Sequence, residues 1–282
     1  AYGVCDHPLD GIPADVAAGD FNRDGRPDLA IADRENDRVQ IVLNTAILVS
    51  MGNCDSALTN LPTFAAGTAP QTLTTGDFDN NGFFDIAVAS SDGVTVLFGR
   101  EDLQFDAEGP FNAGAGLRDI AATDLDLDGF RDLIVASEGN SSVAVLYGQV
   151  GGSFKEAIVL PIGRPATSLA IGDYNRDGRA DIAVGSEQVG EITVLLQDSM
   201  TSSGFRSIGS FASGQSVTGL VAGNFDTNRV LDLVAARPDR TQEYSGRLLQ
   251  SGDPQFDQAN ETPLSLGLSA VPAADFNRDN RL

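Results

Sequence analysis

The sequence predicts an all-β fold, a β-propeller of four-stranded blades, and three observations predict it. Asp-rich nine-residue loops recur with first residues at 20, 77, 124, 173, 224 and 275, so the chain repeats at spacings of 57, 47, 49, 51 and 51 residues. Within each period the apolar residues fall into short β-branched runs with no helical periodicity. Each period holds four such runs, and a unit that small cannot bury its own faces, so neighbouring units must stack. A β-helix is the less favoured architecture, because its coils are shorter. About five complete repeats are visible, and residues 1–282 are expected to form one domain.

The repeat beginning at Ser168 shows how the strands are read. Leu169-Ala170-Ile171-Gly172 leads into a loop, Ile182-Ala183-Val184 leaves it, Ile192-Thr193-Val194-Leu195-Leu196 follows a turn, and a fourth segment begins near Phe205. The second strand recurs at 29–32, 86–89, 133–136 and 233–236, and the third at 39–43, 94–98 and 143–147. Small and β-branched residues of this kind suit strands buried on both faces. Phe105, Phe154, Phe205 and Phe256 each precede the next loop's first residue by 19 positions, an offset that predicts core filler between sheets.

The loops carry the chemistry. In Asp124-Leu125-Asp126-Leu127-Asp128-Gly129-Phe130-Arg131-Asp132, carboxylates at positions 1, 3, 5 and 9 cannot converge without a cation. Glycine at position 6 permits the sharp turn, and position 7 offers its carbonyl, as in an EF-hand loop. Oxygen donors in this number suit Ca2+ better than Mg2+ or Zn2+. The pattern recurs as Asp20, Asn22, Asp24, Arg26 and Asp28; as Asp77, Asp79, Asn81, Phe83 and Asp85; and as Asp173, Asn175, Asp177, Arg179 and Asp181. Asn replaces Asp only where a side-chain oxygen still coordinates, and repetition argues against an ordinary acidic turn. Four complete Ca2+ sites are therefore expected. A fifth, Asn224, Asp226, Asn228, Val230 and Asp232, is weaker, with two carboxylates and Arg229 in the glycine position. The sixth shows Asp275, Asn277 and Asp279 and stops at Leu282, one residue before the ninth position, so the parent polypeptide is expected to continue with Asp.

Composition bounds the function. With 282 residues and 41% hydrophobic content the chain can build a large core. A formal charge of -22 excludes nucleic acid as a partner, because a phosphate backbone needs a basic footprint. No stretch approaches the ~20 apolar residues of a membrane span. Cys5 and Cys54 stand in no zinc-binding spacing, and their even number predicts a disulfide in an oxidising compartment, with buried free thiols as the alternative.

The run Asp-Phe-Asn-x-Asp-Gly-x-x-Asp-(Leu/Ile)-Ala-Val-Ala, followed by Val-x-Val-Leu-x-Gly, resembles the FG-GAP/VCBS repeat of integrin α-subunit propellers, several lectins and many bacterial surface proteins. The resemblance covers essentially the whole chain. It implies seven or so blades in the full protein, with calcium bound between the first and second strands of a blade. Two regions depart from the pattern: residues 45–63, an expansion holding Cys54, and the fifth repeat, where Gly246-Arg247-Leu248-Leu249-Gln250 replaces Val-x-Val-Leu.

The expected function is binding without catalysis: an extracellular, secreted or cell-surface adhesion module whose structural calcium leaves other loops free to contact a protein or glycan on a cell surface or matrix. The sole histidine, His7, has no nucleophile motif near it, and no Gly-x-Ser-x-Gly or phosphate-cradling loop occurs. Arg23-Asp24-Gly25 and Arg176-Asp177-Gly178 belong to the metal loops and are not adhesion ligands. The alternatives are a lectin, which the absence of Trp weakens, and the propeller portion of a polysaccharide-degrading enzyme. A piece of propeller with unpaired blade edges is also open to self-association.

Overall fold

A computed structural model of the chain describes residues 11–45, 58–201, 203–213, 216–225, 230–237, 240–248 and 254–263. These residues form five four-stranded antiparallel sheets. Apart from one 3-10 turn at Glu101–Leu103 they carry only strands, turns and irregular connections.

The first sheet is built of β1 (Pro13–Gly19), β2 (Asp28–Asp33), β3 (Arg38–Asn44) and β4 (Leu58–Ala65), and the second of β5 (Thr72–Gly76), β6 (Asp85–Ser90), β7 (Gly93–Gly99) and β8 (Phe105–Phe111). The third holds β9 (Leu117–Thr123), β10 (Asp132–Ser137), β11 (Ser142–Leu146) and β12 (Ile158–Pro161). The fourth holds β13 (Ser168–Gly172), β14 (Asp181–Ser186), β15 (Glu191–Gln197) and β16 (Phe205–Ala212), and the fifth β17 (Gly219–Gly223), β18 (Asp232–Ala236), β19 (Arg240–Leu248) and β20 (Pro254–Pro263). In every sheet neighbours in sequence are neighbours in space. This up-and-down meander in serial four-stranded sheets is the predicted β-propeller class.

Burial explains the composition of the strands. Every residue of β6, β7, β10 and β14 is buried, which is why these strands read as continuous Ile, Val and Ala rather than as alternating patterns. The fourth strands are different: β8 and β16 expose most of their length, and their sequences turn polar accordingly.

The chain divides into two compact units, residues 1–133 with 146–157, and residues 134–145 with 158–282. In the first, Phe21, Ile41, Leu73, Ile86, Val88 and Leu97 belong to one buried cluster. In the second, Tyr174, Val194, Val217, Leu220, Leu233 and Phe256 form the corresponding one. Three of the four phenylalanines at the fixed offset pack against aromatic rings, and the fourth, Phe205, is buried. Phe105 stands edge-on to Phe64 (4.8 Å) and Phe21 (6.2 Å), Phe154 to Phe111 (5.4 Å) and Phe78 (6.4 Å), and Phe256 to Tyr174 (5.6 Å). Their common partner is the aromatic residue at loop position 2, namely Phe21, Phe78 or Tyr174.

The fifth repeat keeps four strands despite its altered sequence, and its third strand begins ahead of the 246–250 segment and runs into it as far as Leu248. Strand β19 pairs with β18 from Ala236↔Thr241 to Leu233↔Tyr244 and continues as a long hairpin with β20, from Arg240↔Pro263 to Leu248↔Pro254. Backbone pairing sustains this hairpin without the Val-x-Val-Leu pattern. Cys5, His7, Cys54 and residues 249–250 lie outside the described residues.

Candidate metal centres

Each of the first four loops joins the first two strands of its sheet, so that position 9 is the first residue of the second strand. The loop is held by its own carboxylates. At position 1, the Oδ1 atoms of Asp20, Asp77, Asp124 and Asp173 accept the position-5 N–H, and their Oδ2 atoms accept the N–H of the position-6 glycine, at 2.8–3.1 Å. At position 5, Oδ1 of Asp24, Asn81, Asp128 and Asp177 accepts the position-7 N–H at 2.7–2.9 Å. Successive turns of this type curl the backbone until alternate side chains face inward. Two residues per loop pay the conformational cost. Position 4 is left-handed in Arg23, Asn80, Leu127 and Arg176, with φ between 58° and 62°, and position 6 is left-handed in Gly25, Gly82, Gly129 and Gly178, with φ between 83° and 92°. No atom crowds a Cβ at Gly25, Gly129 or Gly178, so the glycine is there for its dihedral freedom and not for lack of space.

The ninth position has a second task that its spacing did not reveal. Asp85 and Asp132 are fully buried, and both oxygens of each carboxylate accept backbone N–H groups. Phe78 and Gly99 donate to Asp85 at 2.6 and 2.7 Å, and Leu125 and Gly148 to Asp132 at 2.7 and 2.8 Å. Asp28 accepts from Phe21 and Asn44 in the same way, and Asp181 from Tyr174 and Gln197. The residue thus ties loop position 2 to the end of the third strand. The glycine closing Val-x-Val-Leu-x-Gly is the one visible sign of this bracket. A Cβ on Gly99 would lie 2.3 Å from the Phe84 carbonyl oxygen, and one on Gly148 2.4 Å from that of Arg131.

Among the described residues, acidic oxygens come together in two loops. Carboxylate oxygens of Asp77, Asp79 and Asp85 lie within 4.8 Å of one another, as do those of Asp124, Asp126 and Asp128. In the loops with Asn at position 3, a cationic side chain takes part: Arg26 bonds to Oδ2 of Asp24 at 2.5 Å, and Arg179 to Oδ2 of Asp177 at 2.8 Å. These arginines were predicted as carbonyl donors only. Arg100 bonds similarly to Oδ2 of Asp79 at 2.6 Å. In the fifth loop Asp232 accepts the Phe225 N–H at 2.8 Å, and the buried Asn224 Oδ1 has no hydrogen-bond partner among the described residues. Val230 is buried. Asp226, Asn228 and Arg229 lie outside the described residues, as do Asp275, Asn277 and Asp279.

The donor set fits a hard cation. Each candidate side-chain ligand offers an oxygen, and Arg26, Arg100 and Arg179 offset only part of the carboxylate charge. Burial pushes Asp85 up to about 7 despite the N–H groups of Phe78 and Gly99, with repulsion from Asp79 and Asp77 adding to the rise. Burial likewise lifts Asp132 and Asp181 to about 6, against the pull of their N–H donors, with Asp126 and Asp177 respectively adding repulsion. Between about pH 4 and 7 the native chain holds protons that the unfolded chain has released, so stability falls as pH rises through that window. In EDTA the melting temperature is therefore expected to be higher at pH 5 than at pH 7.5, and excess Ca2+ should remove or reverse the difference by displacing those protons. A melting temperature in EDTA that climbs steadily from pH 5 to 7.5 would contradict it.

The family model described as FG-GAP-like repeat matches residues 20–88, 77–135 and 124–184, each match beginning on the first residue of a loop. These matches span more than half of the sequence, and the chain belongs to the FG-GAP-like repeat family. No curated protein matches it. Solved structures share the fold at low identity. A periplasmic gluconolactonase of Pseudomonas aeruginosa is 14% identical with a TM-score of 0.58, over 90% of this chain and 71% of that one. A Lactobacillus plantarum protein is 16% identical with a TM-score of 0.58, over 87% and 70%. An Agrocybe aegerita lectin that recognises non-reducing terminal N-acetylglucosamine is 16% identical with a TM-score of 0.52, over 88% and 65%. At such identities the likeness is one of fold. Among the described residues no helix is long and apolar enough to cross a membrane.

Proposed function

We propose that this chain is an extracellular calcium-binding propeller module that works by binding a protein or glycan ligand, its ions serving structure rather than chemistry. The observation that carries the reading is the convergence of oxygen-only donors in loops already turned for a cation. Asp77, Asp79, Asn81, Asp85 and the Phe83 carbonyl would hold one ion, and Asp124, Asp126, Asp128, Asp132 and the Phe130 carbonyl another. The third and fourth sites would use Asp20, Asn22, Asp24, Asp28 and the Arg26 carbonyl, and Asp173, Asn175, Asp177, Asp181 and the Arg179 carbonyl. A bound dication supplies charge neutralisation where carboxylates are crowded. Membership of the FG-GAP-like family supports the cell-exterior setting, because millimolar calcium there fills sites of modest affinity.

A sugar ligand is the more specific version of this reading, and the fold shared with the Agrocybe lectin supports it. The fold shared with a gluconolactonase supports the opposing one, an enzyme. Both are decided by one preparation of the calcium-loaded chain, screened on a glycan array and assayed for lactone hydrolysis and for release of reducing ends from polysaccharides. Saturable glycan or protein binding without turnover is the expected result. Turnover that survives repurification would overturn the non-catalytic assignment.

A further inference from the structure

We propose that loop position 4 is a positioning residue that couples neighbouring cation sites, so that the loops at 20–28, 77–85 and 124–132 fill cooperatively. This rests on the calcium reading above and goes beyond it. All three loops lie within the first compact unit. Position 4 sits between the ligands at 3 and 5 and is held left-handed, φ 59° at Arg23 and 58° at Asn80, so closing the loop on an ion fixes where its side chain points. That side chain leaves its own loop for the next. Asn80 Nδ2 donates to the Gly129 carbonyl oxygen at 2.9 Å. The same peptide unit carries the Phe130 N–H, which donates to Asp128 Oδ1 at 2.9 Å. Asn80 therefore clamps the peptide that orients the position-7 ligand of the third loop. One loop earlier, the Arg23 guanidinium lies 4.8 Å from the centroid of the Phe83 ring, the position-7 residue of the second loop.

A return contact runs the other way. The side chain at position 8 of the later loop occupies the space beside the glycine that precedes the earlier one. Phe84 Cδ1 lies 3.0 Å from where a Gly19 Cβ would be, and Arg131 Cδ 3.0 Å from where a Gly76 Cβ would be. Phe84 also stands edge-on to Phe21, with centroids 6.2 Å apart. In the second unit Leu231 fills the same space beside Gly172. Position 8 immediately precedes the ninth-position ligand. Each loop thus touches its neighbour on both sides of a ligand-bearing segment, and ordering one lowers the cost of ordering the next.

The third loop provides the variant for a test. It carries Leu127 at position 4 with φ 60°, largely exposed, so leucine is tolerated there while lacking a donor. In the 15N-labelled full chain, the amides of Gly82 and Gly129 donate to Asp77 and Asp124 at 2.8 and 3.0 Å and report separately on the second and third loops during a Ca2+ titration. Silencing the second loop with Asp79→Ala is expected to move the Gly129 midpoint to about five-fold higher calcium or more, a typical coupling. Asn80→Leu alone should produce a comparable shift, and in that background Asp79→Ala should add little. Asp126→Ala, which silences the third loop, should likewise raise the Gly82 midpoint, and linkage requires that the parent and both variants fit one coupling constant between the two loops. Should Asp79→Ala fail to fold, the Asn80→Leu and Asp126→Ala titrations decide alone. Gly82 and Gly129 both titrating, with midpoints indifferent to the other loop, would overturn the coupling and leave calcium binding intact. No movement of either amide at millimolar Ca2+ would overturn the calcium reading and the coupling with it.

Discussion

Withdrawing calcium is expected to lower the melting temperature of this chain by about 20 °C or more, and magnesium is expected to restore little of it. A cation at about 100 times its dissociation constant contributes ~2.7 kcal/mol per independent site, so four sites contribute on the order of 11 kcal/mol, within the range of a whole domain's stability. In a chain of this size each kcal/mol is worth about 2–4 °C. The preference for calcium follows from the donors: five or more oxygens from one flexible loop suit its variable coordination, whereas Mg2+ requires near-octahedral geometry and holds its water. Thermal melts in EDTA, Ca2+ and Mg2+ measure the effect. Identical melting temperatures in all three would sink the proposal.

The loops were legible in the sequence because their chemistry is local. Ligands two residues apart, a glycine at the sixth position and a strand on either side can be read from one nine-residue window. Strands such as Ile86–Ala89 were legible because burial on both faces leaves an unbroken apolar run. The positions that escaped are those whose partners lie a strand or a repeat away. Asp132 reads as a ligand, yet its carboxylate also takes the N–H of Gly148, sixteen residues on. Arg26 and Arg179 read as backbone donors, yet their guanidinium groups neutralise Asp24 and Asp177. Asn80 reads as a spacer, and its hydrogen bond to Gly129 crosses 49 residues of chain. Periodicity reports what recurs within a unit. It says little about how one unit grips the next, because those contacts use different side chains each time.

The bracket at the ninth position separates two kinds of loop aspartate, and the separation is measurable. Asp126 is largely exposed at loop position 3, and the partial desolvation of its carboxyl together with repulsion from Asp128 and Asp124 raises its pKa. Replacing it by alanine removes a candidate ligand and some repulsion. In EDTA, Asp126→Ala should therefore melt at or slightly above the parent temperature, and in Ca2+ below it. Asp132 is different. It is fully buried, and alanine would leave the Leu125 and Gly148 N–H groups without their acceptor. Each orphaned buried donor costs about 1–3 kcal/mol, so Asp132→Ala is expected to lose about 3–5 kcal/mol even in EDTA, a size matching other broken buried charge networks, and more in Ca2+. Denaturant unfolding of both variants, each in EDTA and in Ca2+, gives the four values needed. If Asp132→Ala proved as harmless as Asp126→Ala in EDTA, the ninth aspartate would be a ligand only, and the tie between loop and third strand would carry no weight in the fold.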